Sequence, residues 1–90
     1  MNTYSFEASG LFLLAGHAML PAEEEINWPD ANRGVEILVV FNGRMIAQLT
    51  SQGFRRDLWV QVAAVGEIGD IAELHCNRRP ADLRLMAYPI

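Results

Sequence analysis

Lysine is absent from this chain, and cysteine occurs once, as Cys76. All positive charge therefore comes from seven arginines set against eleven acidic residues, for a formal net charge of −4. A polyanion needs a clustered basic surface, and the only basic doublets are Arg55-Arg56 and Arg78-Arg79. Nucleic acid is thus not an expected partner. A single cysteine excludes an intramolecular disulfide, so a small secreted fold held by disulfide staples does not fit.

Long apolar runs are missing too. Leu11 to Leu20 is the nearest approach, and it is too short to cross a bilayer as a helix. No arginine precedes Arg33, so the positive leader of a signal peptide is not seen. These absences lead to the expectation of a cytoplasmic protein with no membrane partner.

Catalytic signatures are equally sparse. There is no Gly-x-Ser-x-Gly elbow, and Gly66-Glu67-Ile68-Gly69-Asp70 does not match a phosphate-binding loop. His17, His75 and Cys76 are the only good soft metal ligands, one fewer than a closed zinc site takes. In a strand, His75 and Cys76 would point to opposite faces. Neither a metal nor a cofactor is expected. Glu67, Asp70 and Glu73 crowd a glycine loop, where convergence on a cation competes with the plainer role of polar loop residues.

What the chain does contain is apolar residues in short, punctuated runs. Hydrophobic residues make up 51% before glycine is counted, against roughly 45–50% with glycine in ordinary soluble domains. Ninety residues suit one domain spanning 1–90, and so small a body leaves some apolar surface exposed unless a partner covers it. A homo-oligomer is the expected state.

The clearest local signal is Asn42-Gly43, flanked by Val35 to Phe41 and Arg44 to Thr50. A two-residue type I′ turn requires positive φ at both central positions, which Asn tolerates and Gly adopts freely. With these as loop residues, Phe41 opposes Arg44, Val39 opposes Ile46, Leu38 opposes Ala47 and Ile37 opposes Gln48. Both faces of that hairpin then carry apolar side chains, which predicts covering on both sides.

Further strands are expected over Thr3 to Ala8, Asp57 to Val65 and Leu83 to Tyr88, each alternating in character. Leu11 to Leu20 is ambiguous: its Leu, Ala and Met favour a helix, whereas its flanking turns and apolar character on both sides favour a strand. Residues 71–78 are ambiguous for a different reason, since Asp70 and Glu73 have the spacing of a capping box beside hairpin-like glycines. The predicted fold is mainly β, a small antiparallel β-sandwich or partly open barrel of six to seven short strands. The alternative is an α+β antiparallel sheet with one or two short helices in the ambiguous segments.

Pro21 to Gly34 is long for a connection and carries Glu23 to Glu25, Trp28, Asp30 and Arg33. One helical turn after Pro21 would suit the acids there. Loops bear function disproportionately, so Trp28, Asp30 and Arg33, with His17 and Trp59, form the predicted ligand-facing or partner-facing set. Tryptophan offers a large amphipathic surface for this purpose, although Trp59, lying in a strand, is expected in the core more than in a site.

The function expected is non-catalytic binding or assembly, homo-oligomeric through an apolar sheet face. One alternative is a small-molecule domain with an apolar pocket near Trp28 or Trp59. Another is a small hydrolase or isomerase pairing His17 or His75 with a carboxylate. An acidic inhibitor acting through Glu23 to Glu25 on a basic protein surface belongs to the interaction class.

Overall fold

Alternating segments and short apolar runs alike are realised as strands in the computed structural model, which describes residues 2–21, 34–51 and 55–90. The strands are Thr3–Ser5 (β1), Gly10–Met19 (β2), Val35–Phe41 (β3), Arg44–Ser51 (β4), Asp57–Gly66 (β5), Ile71–Cys76 (β6) and Asp82–Pro89 (β7). They form a four-stranded antiparallel sheet in the order β1-β6-β3-β4 and a three-stranded one in the order β5-β2-β7. The two pack face to face as an open sandwich, not closed into a barrel. There is no helix among the described residues, and so none long and apolar enough to cross a membrane.

Both ambiguous segments are strands. β2 is paired along its whole length by β5 on one side and over residues 12–19 by β7 on the other. This central position overrides the helix propensity of its Leu, Ala and Met residues, because tertiary pairing outweighs propensity differences of a few tenths of a kcal/mol. The pairing with β5 continues past β2 through Leu20 N–H to Arg56 O (2.7 Å) and Arg56 Nε to Leu20 O (3.1 Å). At the other segment, Asp70 closes a turn instead of capping a helix. Its Oδ2 accepts from Glu67 N–H (2.9 Å) and its own N–H donates to Glu67 O (3.0 Å), with Gly69 at φ 93°.

The predicted turn at Asn42-Gly43 forms with φ of 49° and 81°, and Phe41 opposes Arg44 as expected. Beyond it the register departs from a regular hairpin. A bulge between Val39 and Val40 pairs Val40 with Met45 but Val39 with Ala47, leaving Ile46 as the extra residue of β4. Leu38 therefore opposes Gln48 and Ile37 opposes Leu49, each one residue later than a regular ladder gives. The shift turns Ala47 and Leu49 to the core, together with Ile46. It also gathers Glu36, Gln48 and Thr50 on the outer face, where Gln48 Nε2 donates to Glu36 Oε2 (2.8 Å) and Thr50 Oγ1 (3.3 Å). The outer face of the hairpin is consequently mixed, not uniformly apolar.

The core draws on both sheets: Val35, Ile37 and Val39 of β3, Ala72 and Leu74 of β6, Phe12, Leu14 and Ala18 of β2, Leu58 and Val60 of β5, and Leu85 of β7. At one end Phe6 anchors it. Its ring meets Tyr4, Phe12 and Phe41 edge to face at centroid distances of 5.1, 4.9 and 5.6 Å, the preferred geometry for aromatic quadrupoles. Its backbone bridges to the β5–β6 turn, with Phe6 N–H on Asp70 O and Gly69 N–H on Phe6 O, both 2.9 Å. Gly66 lies against the same ring so closely that any Cβ there would overlap it.

Candidate functional site

Strand parity places Leu11, Leu13, Ala15, His17 and Met19 on the outer face of the three-stranded sheet, opposite the core-facing Phe12, Leu14, Gly16 and Ala18. The cross-strand register then assembles that face row by row. His17 lies between Trp59 of β5 and Arg84 of β7, and Met19 between Asp57 and Asp82.

His17 and Trp59, both expected in the binding set, are in direct contact. Their rings stack with centroids 4.0 Å apart and planes inclined by 21°. His17 Nε2 also meets Asp57 Oδ1, the carboxylate two residues before Trp59 on the same face of β5. The imidazole is largely covered, whereas the Asp57 side chain is 58% exposed. Trp59 is not a core residue: it stands 51% exposed on an edge strand. On β7, Arg84 Nε is held by Asp82 Oδ2 at 2.7 Å.

Beyond Trp59, where the edges of the two sheets approach, lies a cleft of about 540 Å³ lined by Leu49, Thr50, Ser51, Arg55, Asp57, Leu58 and Trp59. Leu58 is buried and Leu49 half-buried, so an apolar floor meets an indole wall and a polar rim. Among the described residues Arg55 has no ion-pair partner. Asp57 and Thr50 were not singled out by sequence reasoning, and Arg55 was named only as half of a basic doublet. Asp57 is placed by the β2–β5 register, and Thr50 and Arg55 by the approach of β4 to β5, neither of which a chain pattern displays.

The remaining predicted site residues, Trp28, Asp30 and Arg33, lie outside the described residues, as do Glu23 to Glu25. His75 sits on the outer face of the other sheet, its Nε2 3.5 Å from Glu73 Oε2, while Cys76 packs toward the core. The three soft ligands are thus on three different surfaces, and no metal-holding group of His, Cys, Asp and Glu occurs among the described residues. Around His17 the neighbouring positions on its face are Ala15, Met19, Trp59 and Arg84. None offers a hydroxyl or thiol for a nucleophilic relay.

The other end of the same face is apolar. Rows of Val65 with Leu11, and of Ala63 with Leu13 and Tyr88, are followed by Gln61 with Ala15 and Met86. Ile90 extends the first row by donating its N–H to Leu11 O (3.0 Å). Of the large hydrophobics exposed among the described residues, Leu11, Val65, Tyr88 and Ile90 collect here, at 45, 71, 50 and 74%. Such a concentration at one end differs from singly scattered exposed hydrophobics, which are ordinary on a protein surface.

Set against protein-family models, curated proteins and solved structures, the chain matches none of them.

Proposed function

We propose that this protein is a non-catalytic assembly module that self-associates through the apolar end of the outer face of its three-stranded sheet. The observation that carries the reading is the clustering of Leu11, Val65, Tyr88 and Ile90, all at least 45% exposed, over the central strand β2. β2 is apolar on both sides, as a strand covered on both sides would be. Its inner side meets the four-stranded sheet, and a second copy supplies the outer cover. The face-to-face contact is isologous, with the same residues contributed by both subunits.

Charge supports this placement. Asp57, Asp82 and Arg84 occupy the far end of the face, so apolar rows can meet without burying them, and charge is kept at the rim. The free, half-buried Cys76 suits a reducing compartment, and the reading takes the cytoplasm as its setting.

Native mass spectrometry of the intact protein at micromolar concentration tests the proposal. A ligand-free dimer or a larger even-numbered species is expected. A monomer throughout the accessible concentration range would refute it.

A further inference from the structure

Trp59 is separated from the apolar patch by the row of Gln61, Ala15 and Met86, and its surroundings differ in kind. One side of the indole is occupied by His17 at 4.0 Å. β5 is an edge strand, so the other side turns away from β2, and Trp59 lines the cleft together with Leu49, Thr50 and Ser51 of β4 from the other sheet. The indole is thereby backed by a second ring on one face, and among the described residues no ring stacks on the other. A flat, preoriented aromatic wall contributes binding surface at small entropic cost.

The rim decides what chemistry fits. Arg55 only donates, Asp57 only accepts, and Thr50 does both. Asp57 Oδ1 is engaged by His17 Nε2, and no partner of Oδ2 is seen among the described residues. The two opposite charges cancel. An anionic ligand would be drawn to Arg55 but repelled by Asp57 and by the chain's net charge of −4, and a cation would meet the converse conflict. A neutral molecule whose groups both donate and accept satisfies both side chains at once, and hydroxyls are such groups. The indole and the Leu49 and Leu58 floor demand in addition an apolar face on the same molecule. A pyranose ring combines these properties, with a C–H face of low polarity and a rim of hydroxyls. The cleft volume of about 540 Å³ lies within the roughly 300–1,000 Å³ of small-ligand sites.

We infer that the cleft between β4 and β5 binds a neutral pyranose sugar, stacked on the face of Trp59 opposite His17 and hydrogen-bonded by Asp57 and Arg55. His17 is a positioning residue that holds both the indole and the Asp57 carboxylate. This site is independent of the self-association surface.

The test is titration of the full-length, isotope-labelled protein with cellohexaose, maltohexaose, xylohexaose and chitohexaose, alongside the anionic hexagalacturonate. Binding is followed by the Trp59 indole N–H and by the backbone amides of Thr50, Arg55 and Asp57. At least one neutral sugar is expected to shift these signals saturably. Trp59→Ala is expected to weaken that affinity by about tenfold or more, and Asp57→Asn by several-fold. Both side chains are exposed, so both variants keep the fold and the wild-type subunit count, with spectral changes before ligand is added confined to the surroundings of His17. No response to any neutral sugar, a response to hexagalacturonate alone, or binding undiminished in Trp59→Ala would each overturn the inference.

Discussion

The imidazole of His17 lies flat on the indole of Trp59, ring centres 4.0 Å apart, while its Nε2 engages Asp57 from the same strand as the indole. One side chain of β2 thereby fixes two side chains of β5. Aromatic pairs couple by about 0.5–1.5 kcal/mol beyond the area they bury. A double-mutant cycle of His17→Ala and Trp59→Ala in urea denaturation is expected to give a coupling in that range, toward its lower end because Trp59 is half exposed. Additive losses would show that the two rings are merely adjacent.

Gly66 is dictated by space, not by backbone conformation. It is not among the glycines with positive φ, yet a Cβ there would collide with the Phe6 ring. Phe6 is held by three edge-to-face neighbours and has little room to retreat. Gly66→Ala should therefore destabilise the fold by about 1–3 kcal/mol through overpacking. Removing the ring itself in Phe6→Ala should cost about 3–5 kcal/mol. Chemical denaturation measures both, and a neutral Gly66→Ala would mean that the ring shifts freely.

Gly43 presents the opposite case. A Cβ at this position meets nothing within 4 Å, but φ is 81°, so the cost of Gly43→Ala is conformational and on the order of 1 kcal/mol. Asn42 has a second task, accepting the Ile71 N–H on Oδ1 (3.0 Å) and donating its own N–H to Ile71 O (2.8 Å). Asn42→Ala should lose about 1–2 kcal/mol, because strain and the loss of the side-chain hydrogen bond add together. Asn42→Gly should recover the strain portion alone. An Asn42→Gly variant as stable as the wild type would remove the role assigned to the side chain, and equal stability of the Ala and Gly variants would remove the strain.

Strand positions were largely legible in the chain because period-two alternation and turn residues are local signals. Asp57 to Val65 and Leu83 to Tyr88 became β5 and β7 within one or two residues, and the Asn42-Gly43 turn lay where its φ requirement put it. Register and sheet order were less accessible. The Ile46 bulge serves to keep Ala47 and Leu49 on the core side, a demand set by the opposite sheet and invisible in the hairpin sequence itself. For the same reason the apolar outer surface could not be assigned to β2, β5 and β7 until their register was known. Leu11, Val65 and Tyr88 are far apart in the chain and become neighbours only through β2's two partners. The candidate site was legible as residue types, His17 and Trp59, whereas Asp57 entered through cross-strand geometry.

Sedimentation velocity over a concentration series, comparing the wild type with Leu11→Glu/Val65→Glu and with Met45→Glu, tests self-association most directly. Met45 is 53% exposed but belongs to the four-stranded sheet, so its substitution controls for a general effect of added charge. The account predicts an associating wild type and Met45→Glu variant, and a folded monomer for the double variant, since paired carboxylates facing one another across an isologous contact repel. A double variant that associates like the wild type would contradict it.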